Sequence, residues 1–579
     1  MTRNRKFIPV ISLLLIMVLL LSACTGQTSS LKSNVAYASQ MNKNTVMTVA
    51  ITADPDAWQA MLDNASQKEY ISADITINGT IIKNVGIKPK GNSSLKAVTE
   101  NDDSDRYSFK IKFDEYVEGQ TWMGLDKLAL NNNYSDATSM KEYLSYDIMN
   151  YIGVAAPLVS YANISVNDKS WGFYLAVEVL DASYLERTKN GEGELYKPDS
   201  EKMDGAKMGN VQGERPSDPV KAESSTSSSS SEKQASSNSS SANEQKSEKD
   251  MQAPPNFGGN QKQGGGGGMQ ADDATALIYT DEKESSYSSI FDNAETKTDE
   301  SDHKRVLEAI KNLNSGTDLE KYVDVDATLR YLAAHTAVVN LDSYSSNMGH
   351  NYYLYENNGK ISMLPWDYNM AFGGFQSRDA SSVVNFPIDT PVSGVTMEER
   401  PMISKLLEVP EYLSKYHEYL QQIADNYFTN EKFEEKVNEI NTLISSYVKE
   451  DPSAFFSFEE YETAVRELKK LGALRGESIE GQLSGTIPST TDGQKADSSS
   501  LIDSSSVNLT VLGDSKKGGM EGGAPDGMDF ETMKKAMEIL GSASNGAFTD
   551  EQKSQLKELG LTEEQINQML KRPKRNQTK

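Results

Sequence analysis

The chain has 579 residues, with 84 acidic and 58 basic side chains and a formal balance of −26. Hydrophobic residues make up only 37%; this fits one sizeable core plus segments too polar to fold, and the acidic balance argues against a nucleic-acid partner. One cysteine excludes an internal disulfide framework and a Cys-rich zinc site, and the four histidines lie too far apart for a paired-histidine metal motif.

The chain opens with Arg3, Arg5 and Lys6 before a mostly apolar run from Phe7 to Leu21. That run is short for a spanning helix and reads as the apolar core of a signal peptide. It ends in Leu21-Ser22-Ala23-Cys24, which looks like a bacterial lipobox, with Cys24 as the lipidation site. Acyl chains on Cys24 would anchor the protein on the extracytoplasmic face of the cell membrane without a spanning helix. Residues 25–43 are small and polar and read as a tether.

Residues 44–200 are rich in strand signals. Thr48–Thr52 reads as a strand, and Ser72–Ile77, Asn78-Gly79 and Thr80–Ile82 read as a hairpin. Val85–Lys88 and Tyr107–Phe113 alternate with period two. Ser139–Ile152 has helical spacing and stops at Gly153. Val159–Asn167 and Trp171–Leu180 form another strand pair. From 201 to 271 regular pattern vanishes into Ser and Gly tracts, read as a disordered insertion. Residues 272–485 read as mainly helical, with a hairpin across Asn357-Asn358-Gly359. Residues 486–529 read as a low-complexity linker and 530–579 as a helical tail with a basic end. Strands first and helices second suggest an α+β protein.

The chemistry concentrates between Asn340 and Asn369. Asp342 closes a helix, Asn347 follows five residues later, and a hairpin carries the chain to Asp367. A carboxylate, an amide five positions on and a second carboxylate after a hairpin are what phosphoryl transfer needs. One carboxylate orients or deprotonates the attacking hydroxyl, while the amide and the other carboxylate hold Mg²⁺ against nucleotide phosphates. Asp and Asn at helix ends are also common caps and turn formers.

Several motifs, in order, resemble the CotH family of spore-coat-protein-H kinases. They are Gly91-Asn92-Ser93-Ser94, Ser108–Phe113, Leu128–Asn132, Trp171–Glu178, Leu195-Tyr196-Lys197-Pro198, Asn340-Leu341-Asp342, His350-Asn351-Tyr352 and Pro365–Asn369. The resemblance implies an atypical protein-kinase-like fold of two lobes: a strand-rich lobe over 44–200 and a helical lobe over 272–485. It implies a kinase using ATP with Mg²⁺ or Mn²⁺, with Asp342 as catalytic residue and Asn347 and Asp367 as metal ligands. A strand lysine should reach the phosphates. Lys110 is the first choice, and Lys112 points the same way. Lys90 stands where the family usually carries Arg, so the charge is kept and the bidentate fork is lost. Glu142 is placed to pair with the phosphate-binding lysine, and Glu178 ends the strand leading to the nucleotide base. Trp366 reads as packing beneath Asp367, His350 as a partner of the catalytic loop, and His335 as core.

The implied substrate is Ser or Thr of a spore-coat or cell-surface protein, with a Ser-rich, basic partner favoured by the acidic surface. Two other readings stay open: a catalytically silent adhesin or assembly scaffold, and transfer of AMP in place of phosphate.

Overall fold

The computed structural model describes residues 35–101, 104–199, 271–377, 379–513 and 556–557. Cys24, the signal segment, nearly all of the Ser/Gly insertion over 201–271 and nearly all of the C-terminal tail lie outside these residues.

Ten strands are described: β1 (Met47–Ala53), β2 (Ile71–Ile77), β3 (Thr80–Lys90), β4 (Ser108–Lys112), β5 (Lys127–Asn131), β6 (Val159–Val166), β7 (Lys169–Glu178), β8 (Glu194–Tyr196), β9 (Tyr352–Asn357) and β10 (Lys360–Pro365). The first seven close into a barrel in the order β1-β2-β3-β4-β5-β7-β6. All neighbours are antiparallel except β1 and β6, whose parallel pairing of Val49 with Ile164 seals the ring. Alternation explains the lining. In β1, Met47, Val49 and Ile51 are buried while Thr48 and Thr52 are exposed. Ile75, Ile87, Phe109, Ile111, Leu130 and Ile164 join them in one apolar cluster inside the barrel.

The principal helices are α1 (Pro55–Asp63), α2 (Ser93–Thr99), α3 (Lys141–Tyr151), α4 (Ala182–Lys189), α5 (Glu300–Ser315), α6 (Val325–Val338), α7 (Pro401–Leu407), α8 (Pro410–Ile423), α9 (Lys432–Glu450) and α10 (Phe458–Ser484). Their ends follow local chemistry. Asp299 and Asp302 form a capping box at α5, and Ser457 and Glu460 another at α10. Pro410 opens α8 and keeps it separate from α7. Gly472 on α10 lets α9 approach closely, since a Cβ there would sit 2.1 Å from the Phe433 ring.

The two-lobed kinase-like fold expected from the sequence is not what this chain adopts. The strands of the first half form a closed barrel rather than an open lobe, and a second sheet, β10-β9-β8, lies with the helices. The two apolar cores share a wall. On β7, Tyr174 and Ala176 face into the barrel while Phe173, Leu175 and Val177 belong to the helical core. That is why Gly172–Glu178 is buried without interruption. Barrel and helices make one compact unit, in a mixed α+β protein.

Order also extends beyond the segments expected to be ordered. Tyr37 and Met41, placed in the tether by sequence, are buried. The Leu509–Leu512 turn lies in the segment read as a linker, yet Leu512 is buried and its carbonyl accepts the Ala137 N–H at 3.2 Å.

Candidate active site

The outer faces of β3 and β4 carry the cations. Lys88 pairs with Lys110 and Lys90 with Ser108 in the β3–β4 register, while Ile87, Phe109 and Ile111 point into the barrel. Alternation therefore puts Lys88, Lys90, Lys110 and Lys112 on one face and cannot rank them.

Neighbours rank them. Lys90 Nζ donates to Asn131 Oδ1 at 2.5 Å, and Asn131 Nδ2 donates to Glu142 Oε2 at 2.8 Å. Burial pulls the Lys90 ammonium down, while the nearby Asp367 and Glu142 carboxylates push it back up. Glu142 on α3 is raised, first by burial and then by Asp367. The Tyr146 hydroxyl hydrogen-bonds Glu142 and accepts the Asp367 N–H at 3.0 Å. One continuous path thus joins Lys90, Asn131, Glu142, Tyr146 and Asp367. The lysine that Glu142 serves is Lys90, through an amide, and not Lys110.

Lys110 lies nearby in a second setting. Burial lowers it to about 8, with Glu295 opposing and Lys127, Lys197 and Lys88 adding repulsion. Lys197, just past β8, completes the cluster. Its Nζ sits 5.6 Å from the Trp366 ring centre and 5.9 Å from that of Tyr353, and Lys90 sits 5.7 Å from the same Trp366. No hydrogen bond or ion pair reaches the Lys197 ammonium among the described residues. In sequence Lys197 belongs to the Leu195-Tyr196-Lys197-Pro198 motif, which assigns it no role. Its signal was the aromatic context: Trp366 directly precedes Asp367, so a cation over that ring is at the site.

The carboxylates come from the other core. Helix α6 ends at Val339, a β-branched residue at φ 50°, in the left-handed region. This turns Asn340 inward. Its Oδ1 accepts the Asp342 N–H at 3.4 Å, and its Nδ2 reaches the Asp367 carbonyl at 3.5 Å. His335, expected as core, is a buried crosslink. Its ring nitrogens meet the Tyr368 hydroxyl at 2.8 Å and Ser345 Oγ at 2.9 Å, and burial lowers it to about 4. Arg400 donates to the Tyr344 and Ser346 carbonyls. The loop holding Asp342 and the loop holding Asp367 are therefore fixed to one another.

Asp342 accepts from His350 Nε2 on Oδ1 at 2.7 Å and from Asn351 Nδ2 on Oδ2 at 3.0 Å. Asp367 has φ 61°, a strained setting for a non-glycine residue. Among the described residues no hydrogen bond or ion pair occupies its carboxylate, nor the side-chain amide of Asn347. No three His, Cys, Asp or Glu side chains converge as a metal cluster among the described residues. A lone carboxylate plus an amide suits Mg²⁺, which keeps waters and takes substrate phosphate oxygens rather than a full protein cage. Carboxylate and amide oxygens are donor types that such an ion accepts.

Glu178 does not belong here. It is fully buried, and its carboxylate accepts from Arg187 Nε at 2.8 Å, the Leu158 N–H at 2.8 Å and the Tyr37 hydroxyl. Every acceptor direction serves packing, so it is a structural carboxylate. A cleft of about 430 Å³ opens elsewhere, lined by Asp324, Asp326, Lys360, Glu411 and Lys415, and none of the candidate residues lines it.

Lys90 of β3, Lys197 and the Asp367 carboxylate thus come together beside the Trp366 ring. The family model described as CotH kinase protein matches residues 87–255 and 258–479. The chain belongs to that family. It is also 22% identical over 359 residues to Inner spore coat protein H of Bacillus subtilis (strain 168), covering 60% of this chain and 75% of that protein.

Proposed function

We propose that this protein is a Mg²⁺-dependent kinase that transfers the γ-phosphate of ATP to Ser or Thr of a spore-coat or cell-surface protein. The carrying observation is the path from Lys90 through Asn131, Glu142 and Tyr146 to Asp367. It holds a cation beside a free carboxylate, as a metal–triphosphate complex requires. Family membership and the coat-protein relative support the same reading.

In this reading Lys90 and Lys197 bind phosphate oxygens, and Trp366 and Tyr353 hold the Lys197 ammonium in place. Asp367 and Asn347 would hold Mg²⁺, which neutralises phosphate charge when bound. Asp342 orients the acceptor hydroxyl and takes its proton. The acidic surface favours a basic, Ser-rich acceptor. Lipidation at Cys24 would keep the protein on the extracytoplasmic membrane face. No helix among the described residues is long and apolar enough to cross a membrane.

The test is incubation of the detergent-solubilised full chain with ATP labelled at the α or γ position, Mg²⁺ and a basic Ser-rich protein. Transfer of γ label, lost in Asp367→Ala, is expected. Transfer of α label would show AMP transfer instead, and nucleotide binding without transfer of either label would sink the kinase reading. Loss of membrane association in Cys24→Ala tests the anchor.

A further inference from the structure

Asp342 is gripped by two residues further along its own loop. Gly349 lies between Asn347 and the His350-Asn351 pair, at φ 59°. A Cβ there would fall 2.3 Å from the Ala271 Cβ, so only glycine lets the chain turn back on Asp342. Asn351 follows at φ 55°, again left-handed. Two successive turns of this kind bring two side chains onto one carboxylate. His350 Nε2 meets Oδ1 at 2.7 Å, and Asn351 Nδ2 meets both Oδ2 at 3.0 Å and the Asp342 carbonyl at 2.9 Å.

A carboxylate can only accept, so Nε2 of His350 carries its proton here. Each Asp342 oxygen then keeps one further acceptor direction, and 17% of the side chain remains exposed. Two donors at opposite oxygens fix both the plane and the rotation of the carboxyl group. One donor would leave it free to swing.

Resting on the kinase reading above, we infer that His350 and Asn351 are positioning residues that clamp Asp342 so that one free lone pair faces the acceptor hydroxyl. In the step they serve, the acceptor O–H bond breaks and its proton passes to Asp342. The acceptor oxygen bonds the γ-phosphorus, and the bond from that phosphorus to the β-phosphate oxygen breaks. ADP leaves with that electron pair. The clamp acts through Asp342, so its effect falls on the chemical step and not on ATP binding.

The experiment measures initial rates over varied ATP for the full-length wild type, His350→Ala, His350→Gln and Asn351→Ser, with melting temperatures alongside. His350→Ala should lower kcat about 10- to 100-fold, the size of a modest misplacement, with KM for ATP within about twofold. His350→Gln should recover most of the loss, because its amide offers an N–H from a similar reach. Asn351→Ser should show the same kcat-only loss, which keeps the test open should His350→Ala fail to fold. In an Asp342→Asn background, His350→Ala should cost nothing further. Unchanged kcat in both single variants, a loss confined to KM, or a Gln variant as poor as Ala would overturn the clamp. A wild type without transfer would instead sink the kinase reading, so the two failures are distinct.

Discussion

The barrel is held by repetition. Each of its seven strands has a neighbour on both sides, and its interior is filled by alternate apolar residues. The helical body is held by single residues that reach across it. Arg475 is buried, has no carboxylate partner among the described residues and donates to the carbonyls of Thr336, Ala337, Val384 and Phe386, so one guanidinium satisfies the end of α6 and the end of the short Ala380–Val384 helix. Arg400 does the same for the Asp342 loop. The regular region lends the site its cations on a rigid outer face. The stitched region lends the carboxylates on loops whose shape depends on a few buried donors. Under the proposed function, holding a polyanion on a firm surface and placing a carboxylate accurately would draw on both kinds of support.

This division can be broken from either side. The largest effect is expected at Asp367. Replacing it with Ala should lower phosphoryl transfer by about 10²–10³-fold, the scale of losing one preorganised electrostatic group, with little change in melting temperature. Label transfer and thermal denaturation check both halves of that statement. On the barrel side, Lys90→Met should cost about 10²-fold in kcat/KM. Lys110→Met should cost far less, because Lys110 faces Lys127, Lys197, Lys88 and Glu295 rather than Asp367. Equal losses would show that the cluster acts as one unspecific field.

The joint between the regions is next. Arg106 lies beside β4, and its ion pair to Asp451 beyond α9 is 2.7 Å long and 3% exposed on each side. Arg106→Met leaves that carboxylate buried and unpaired, at a cost of about 3–5 kcal/mol. Denaturant unfolding should keep a single transition with a lower midpoint; two separated transitions would mean that the regions fold independently.

The smallest effect concerns acid. Burial holds His335 at about 4 in the folded protein, below its ordinary value near 6.5. Below that ordinary value the unfolded chain takes a proton that the folded chain refuses. Its share of stability is therefore complete above about pH 6.5 and falls, by up to about 1.4 kcal/mol per pH unit, down to about pH 4. His335→Gln should flatten that slope relative to wild type in denaturation curves between those pH values.

Much of this molecule was legible locally. Strand-forming runs located β1, β2, β6 and β7, period-two alternation located β4, and the Asn-Gly dipeptides located two hairpin turns, because each signal needs only a few neighbouring residues. The Asp342, Asn347 and Asp367 spacing nominated a candidate site for the same reason. Barrel closure was not legible, since it rests on a parallel match between β1 and β6, more than a hundred residues apart, that no short pattern encodes. Nor was the choice among lysines. Lys88, Lys90, Lys110 and Lys112 share one face, and only Asn131, Glu142 and Asp367, brought together by folding, single out Lys90. The Ser- and Asp-rich composition of 486–513 concealed a packed segment because only a few scattered apolar residues, Ile487, Val507 and Leu512, anchor it. By itself the sequence determined which residues can do chemistry and which faces they share. Tertiary structure alone decided which of them meet, because burial and a partner's charge are properties of neighbours distant in the chain.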